Sequence, residues 1–304
     1  MHVCLNIQDP TQRWVERRYP AINPAFAAAE LIVLLNGSDD ARILNAWNPA
    51  LQKYQGNYAN YPGAYGKRLC SSFGFDQLNR AFEALAGNCE SRQIVLQIWK
   101  PDIDLPQNNG MPNNNDIPCN VCSLLKVRDG KLLWTQIMRS NDIAFGLPYD
   151  IVQFTSLQEI FAGWLNIEVG EYMHISDSLH MYESNRCSIS TNQDVHTNTD
   201  RFTLGKKESD IFFKELYLRM QELSNQKCTE SLVLEIISKK TMPNAYHNLL
   251  MLLCEYIAYK QKMNVDIISR CDEKQTNKQL RSMMRLWMDA RNKNDATTDW
   301  RICD

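Results

Sequence analysis

The sequence predicts an α/β (α+β) protein, a mixed sheet with packed helices followed by a helical C-terminal region. Three observations carry this. Helix-like and strand-like hydrophobic patterns alternate up to about residue 182. Two apolar runs flank Asp129-Gly130, a strong short-range hairpin signal. From about residue 206 onward the pattern is a series of helices. The expected division is therefore 1–205, a mixed α/β domain, and 206–304, a helical C-terminal region.

The elements follow in order. "PAFAAAELIVLLN" (24–36) predicts a helix, with Pro24 suited to its first turn and Gly37 to its stop. Its Glu30 stands in a helix with little polar face. "QIVLQIWKP" (93–101) is rich in β-branched and apolar residues and ends at a proline, which predicts a buried strand. "LPQNNGMPNNN" (105–115) is a loop of Asn, Gly and Pro. "CNVCSLLKVRDGKLLWTQIMRS" (119–140) is the hairpin. Residues 150–165 predict an amphipathic helix through Ile151, Phe154, Leu157, Phe161 and Trp164. "ESNRCSISTNQDVHTNTD" (183–200) is polar and loop-like. "SDIFFKELYLRMQEL" and "AYHNLLMLLCEYIAYKQKM" lie in the helical region.

Composition narrows the function. A chain of 304 residues, 44% hydrophobic, is long enough to bury a sizeable core. With 33 basic and 35 acidic residues, net charge −2, it has no general surface for a nucleic-acid polymer, although a few arginines could bind one phosphate. No apolar stretch is long enough to cross a bilayer, and the start has no signal-peptide core. The ten cysteines are scattered and read as reduced thiols, which points to the cytoplasm.

A two-residue turn at Asp129-Gly130 pairs Arg128 with Lys131 and fixes the register outward. Counted this way, Cys119 faces Ser140 and Asn120 faces Arg139. An arginine beside Cys119 would favour its thiolate, the nucleophilic form. The alternative is a buried structural thiol, the commoner fate of cysteine. "CNVC" lacks a second pair to complete a zinc site, and in a strand its two cysteines face opposite ways. The residues alone leave nucleophile and structural thiol open.

Taken together, "DIPCN", "RSNDIAFGLPYD" and "GEYMHISDSLHMY" resemble the thymidylate synthases and their relatives, the pyrimidine-nucleotide hydroxymethylases. Upstream, "AELIVLLNG", "GAYGKRL", "FDQLNRAFEAL" and "SRQIVLQIW" fall in that family's order, so the likeness spans roughly residues 20–182. The resemblance implies that Cys119 adds to C6 of the pyrimidine. It implies that Arg139 and Ser140 hold the 5′-phosphate, joined by Arg92 from the other subunit of a homodimer. An N-terminal arginine completes that phosphate site; Arg13 is preferred over Arg17 and Arg18. His180 and Tyr182 would contact the sugar, Glu30 would organise water and proton transfer, and Tyr65 would assist proton removal from C5. Asp142 and Trp47 would hold the folate. The implied co-substrate is 5,10-methylenetetrahydrofolate, with no metal.

Separately, each of these residues has a plainer reading. Glu30 could lie on an exposed helix face, Arg92 on the surface, and Tyr65 in a loop. His180 and Tyr182 could be ordinary strand residues sharing a face. Only their joint pattern points to chemistry.

Asp150 departs from the synthases, which carry asparagine there. As a cap with Gln153 at the third helical position, Asp150 would start the helix, but asparagine caps equally well. Base reading distinguishes the two. A carboxamide matches the N3–H and O4 of uracil, whereas a carboxylic acid matches cytosine by donating to N3 and accepting from the 4-amino group. Asn120, Met138 and Gln93 also replace family residues, and "TTDWRICD" shows no counterpart of the synthases' closing tail. Water reaching the C5-methylene would leave a hydroxymethyl group. The expected activity is therefore C5-hydroxymethylation of CMP or dCMP. The alternatives are methyl transfer to dUMP or dCMP and a non-catalytic nucleotide-binding relative.

Overall fold

The computed structural model describes residues 2–183, 187–189, 195–225 and 228–293. Part of the polar stretch 183–200 and the whole "TTDWRICD" tail lie outside the described residues.

The N-terminal half runs β1 (Val3–Ile7), β2 (Arg18–Tyr19), α1 (Pro24–Leu35), α2 (Ala41–Trp47), α3 (Leu51–Gln55), α4 (Tyr65–Cys70), α5 (Gln77–Gly87), β3 (Ile94–Gln97) and α6 (Pro101–Asp104). Next come β4 (Asn120–Arg128), β5 (Lys131–Asp142), α7 (Gly146–Leu165), β6 (Glu168–His180) and β7 (Ser188–Ile189). Helices close the chain: α8 (Lys206–Ser224), α9 (Glu230–Ser238), α10 (Asn244–Lys260), α11 (Val265–Lys274) and α12 (Lys278–Lys293).

Five strands form a mixed sheet in the order β1-β6-β5-β4-β3. Only β5 and β6 run parallel, joined through α7, which packs across the sheet. This is the α/β architecture that the alternating patterns predict.

Local chemistry explains the helix starts and the turn. The Asn23 side chain accepts from the N–H groups of Ala25 and Phe26, and Pro24 fills a first-turn position that needs no donor. Asp129 and Gly130 both have positive φ, 51° and 71°, as a type I′ hairpin turn requires. The ladder then follows the expected count from Arg128↔Lys131 to Cys122↔Ile137.

There the register breaks. A bulge at Val121 makes Asn120 face Met138, one residue earlier than the unbroken count. The Val121 carbonyl instead accepts from the N–H groups of Ile98 and Trp99 at 3.0 and 3.1 Å. Cys119 therefore meets Arg139 rather than Ser140, with Arg139 N donating to Cys119 O at 2.9 Å.

Three further expectations need correction. The strand of 93–101 shortens to Ile94–Gln97 and lies at the sheet edge, where Val95 is 50% exposed. Helix α7 starts at Gly146, so Asp150 sits a turn inside it and is not its cap. Nor is α7 amphipathic in its surroundings: every residue from Ile151 to Trp164 is buried. The reason is that the sheet covers one side while α1 and α8 cover others. Its polar side chains are bonded inside; Gln158, for example, donates to the carbonyls of Leu132 and Gly170 at 2.8 and 3.0 Å.

Phe213, Leu216, Tyr246, Leu249 and Met251 of the C-terminal helices belong to the same apolar core as Leu31 of α1 and Phe154 of α7. Among the described residues, no helix is long and apolar enough to cross a membrane.

Candidate active site

A cavity of about 730 Å³ opens at the carboxyl ends of β5 and β6. Parallel strands bring their carboxyl ends together, so the pairing that sets Asp142 beside His180 delivers Ser140, Asp142 and His180 to one rim. Helix α1 contributes Glu30, the start of α4 contributes Tyr65, and the first turns of α7 contribute Tyr149 and Asp150. Cys119, Arg139, Tyr182 and Trp47 also line the cavity. Ten of the twelve residues anticipated at the site line this cavity; Arg13 and Arg92 do not.

Arg13 is only 3% exposed and lies elsewhere. Its guanidinium donates to Ser156 Oγ at 2.7 Å and forms a buried ion pair with Glu159, both on α7. That pairing consumes its charge inside the core. Arg17 is exposed, while Arg18 lines the cavity and donates to the carbonyls of Pro20 and Ala144. Arg18 is thus the N-terminal arginine at the site. Arg92 is exposed just before β3 and does not line the cavity of its own chain.

Around Cys119 the electrostatics oppose a simple thiolate picture. Burial pushes the thiol up from its ordinary value; Arg139 pulls it down, and Asp150 and Asp116 push it further up. The expected help from an arginine is present, but burial outweighs it. Arg139 is itself held in place, donating through Nε to Pro118 O at 2.8 Å and through a terminal nitrogen to Ile117 O at 3.2 Å.

The carboxyls of the pocket hold protons unusually well. Burial, helped by the Asp150 charge, raises Glu30 well above the usual range. Burial raises Asp150 to about 7, against one opposing hydrogen bond from Asn141 at 3.2 Å. Tyr65 is likewise raised by burial and by Asp150, Cys119, Glu30 and Asp116. A site with few positive charges near its acids keeps them partly neutral at pH 7, which suits proton transfer.

Two acid–amide partners escaped the sequence reading. Asp116, raised by burial to about 6, accepts from the Gly63 N–H at 2.7 Å. Gly63 must be glycine for this approach, since a Cβ would stand 2.6 Å from the Asp116 carbonyl. Asp116 opens the "DIPCN" motif and could have been found there. Asn141, between Ser140 and Asp142, carries no such signal.

The other end of the cavity is aromatic. Trp47 packs against Tyr256 with ring centres 5.5 Å apart, and Tyr256 against Trp287 at 5.4 Å. Arg291 lies over Trp287, 5.6 Å from its ring centre. Tyr256, Trp287 and Arg291 all line the cavity, so α10 and α12 build part of its wall. Asp142 Oδ1 accepts from Ala144 N at 2.7 Å, which holds its carboxylate at the rim.

A family model described as thymidylate synthase matches residues 20–235, reaching past the 20–182 span of the motifs into α9. The deoxyuridylate hydroxymethyltransferase of Bacillus phage SP01 is 31% identical over 191 residues, covering 59% of this chain and 49% of that protein. The protein of the same name from Pseudomonas phage M6 is 32% identical over 172 residues, 56% of this chain and 47% of its own. The thymidylate synthase of Listeria monocytogenes serotype 4b is 32% identical over 146 residues, 47% of this chain and 44% of its own. The chain thus spans about half the length of these relatives.

Proposed function

The chain belongs to the thymidylate synthase family, and on that premise we propose that it hydroxymethylates C5 of a cytidine 5′-monophosphate, CMP or dCMP. The observation that carries the cytidine reading is Asp150, in the cavity with Cys119 and with its pKa raised to about 7. A carboxyl that is partly protonated at neutral pH donates to N3 of cytosine and accepts from the 4-amino group. With the proton on the oxygen that faces N3, it would leave uracil's N3–H and O4 mismatched, and unpaired buried groups discriminate strongly.

The residues present fit both substrates. Arg139, Arg18 and Ser140 offer phosphate donors, with arginine's planar fork suited to paired bonds. His180 and Tyr182, with rings 5.1 Å apart on the cavity lining, would bond a sugar hydroxyl. In a homodimer, Arg92 would extend to the partner's phosphate. The aromatic wall of Trp47, Tyr256 and Trp287, with Asp142 at the rim and Arg291 beyond, suits a flat heterocycle with an acidic tail. That ligand is 5,10-methylenetetrahydrofolate, which supplies the one-carbon unit.

Cys119 Sγ forms the bond to C6 while the C5–C6 π pair shifts toward C5, making C5 nucleophilic. The thiol proton passes to water, the Asp150 proton moves to N3 and makes C6 a better acceptor, and C5 then bonds to the one-carbon unit carried by the folate. Tyr65, with Glu30 beside it, relays the proton leaving C5 to water while the methylene–nitrogen bond breaks, releasing tetrahydrofolate and leaving an exocyclic C5-methylene. Water ordered by Glu30 then adds to the C5-methylene carbon, and departure of Cys119 from C6 restores the ring double bond.

The test is to incubate the protein with methylenetetrahydrofolate and CMP, dCMP, UMP or dUMP separately, and weigh each nucleotide. A gain of CH₂O on a cytidine nucleotide, absent with Cys119→Ala, is expected. A second reading, the same transfer to deoxyuridylate, draws on the names of the two phage relatives; a gain on dUMP alone would select it. A gain of CH₂ would mean methyl transfer. No change in any tube, with Cys119→Ala indistinguishable from the parent, would leave a nucleotide-binding protein without this chemistry.

A further inference from the structure

Behind Asp150 lies a hydrogen-bonded chain that does not reach the cavity at its far end. Asn141, 2% exposed, donates through Nδ2 to Asp150 Oδ2 at 3.2 Å and bonds His174 Nε2 at 3.0 Å. His174 Nδ1 in turn bonds Tyr172 Oη at 3.0 Å. His174 and Tyr172, both on β6, are fully buried and are not part of the cavity lining.

The geometry fixes where protons sit. An amide nitrogen carries two N–H groups, and here Asp150 takes one and His174 the other. His174 Nε2 is then the acceptor, so the ring proton is on Nδ1 and donates to Tyr172 Oη. Burial lowers His174 to a pKa of about 4, so the ring stays neutral and keeps this acceptor at physiological pH.

We infer that Asn141, locked by His174 and Tyr172, is a positioning residue that makes Asp150 Oδ2 a permanent acceptor and Oδ1 the oxygen that carries the exchangeable proton. This rests on the cytidine reading for its purpose. With Oδ2 accepting from both Asn141 and the cytosine amine, Oδ1 is left to donate to N3. An unlocked amide could rotate its carbonyl toward Asp150 and draw the proton onto Oδ2, away from the oxygen that must donate to N3. The other titratable groups facing Asp150 are Glu30 from α1, Tyr65 from α4, Cys119 before β4 and Tyr172 from β6. All but Tyr172 stay unchanged in every test variant.

The test uses full-length protein labelled with carboxyl-¹³C aspartate, with the Asp150 resonance assigned by its loss in Asp150→Asn. Without nucleotide, Asn141→Leu and His174→Leu should raise the Asp150 titration midpoint by about one pH unit, the tenfold expected for losing a hydrogen bond to a charged group. His174→Gln, whose amide oxygen still accepts from Asn141, should stay near the parent. Tyr172→Phe gives a milder perturbation, and a midpoint raised by a smaller amount is expected from it. In turnover, the CMP-to-UMP ratio of kcat/KM should fall about tenfold in both leucine variants and recover in His174→Gln. Folded leucine variants, or a folded Tyr172→Phe if these do not fold, with an unmoved Asp150 midpoint would overturn the inference. A moved midpoint in a protein whose parent shows no cytidine preference would uphold the positioning chain and overturn the cytidine reading instead.

Discussion

The backbone N–H of Arg139 donates to the carbonyl of Cys119 over 2.9 Å, one residue out of step with the ladder that leads to it. The offset places the guanidinium-bearing residue, not Ser140, across from the thiol. Arg139 is the one group that pulls the Cys119 pKa down against burial. Arg139→Gln should therefore slow carboxamidomethylation of Cys119 by iodoacetamide at pH 8 about tenfold, the lower end of what a nearby opposite charge does to a pKa. Peptide mass spectrometry over time reads the rate. An unchanged rate in a folded variant would mean that the arginine serves the phosphate alone.

Asp150→Asn should exchange the base preference without unfolding the protein. Because α7 begins at Gly146, the substitution leaves the helix start untouched, and the Asn side-chain oxygen still accepts from Asn141. Relative kcat/KM for CMP over UMP should fall at least about a hundredfold, as expected when a buried donor and acceptor are interchanged. Equal discrimination in parent and variant would show that the base is read elsewhere.

The parts legible in the sequence are those set by neighbours along the chain. Asn23 and Pro24 announce α1, and Asp129-Gly130 announces the hairpin, because caps and tight turns are local chemistry. The bulge at Val121 is not legible, since it answers to the N–H groups of Ile98 and Trp99 over twenty residues away. Arg13 and Arg18 look alike until Glu159 claims one of them. Gly146-Leu147-Pro148 reads as a turn because proline and glycine punctuate loops, yet proline is tolerated in a helix's first turn. The wall from Tyr256 and Trp287 meets Trp47 across some two hundred residues, a pairing that no local pattern encodes.

Acid should stabilise the pocket rather than weaken it. Asp150, Asp116 and Glu30 all have raised pKa values, to about 7 and about 6 for the two aspartates. A carboxyl raised on folding holds a proton that the unfolded chain releases, so its contribution is full below pH 4 and is lost as pH rises through 7. His174, lowered to about 4, acts in the opposite sense below its ordinary value of 6.5. Subtracting the melting temperature of Asp150→Asn from that of the parent isolates one group. The difference should fall steadily from pH 5 to pH 8; a flat difference would mean that Asp150 is ionised throughout.

Trp287 tests whether the C-terminal helices serve the folate. The residue is 6% exposed, stacks near Tyr256 and lines the aromatic end of the cavity, remote in character from the acidic end at Cys119. Trp287→Leu keeps an apolar anchor for α12 but removes the flat face, a loss of about 0.5–1.5 kcal/mol beyond area for an aromatic pair. Steady-state kinetics should show KM for methylenetetrahydrofolate raised roughly threefold to tenfold, matching that range, with KM for the nucleotide nearly unchanged. A rise confined to the nucleotide would place the base or sugar against this wall and move the folate elsewhere. Equal KM values for both substrates in variant and parent would make the wall a structural seam between α10 and α12.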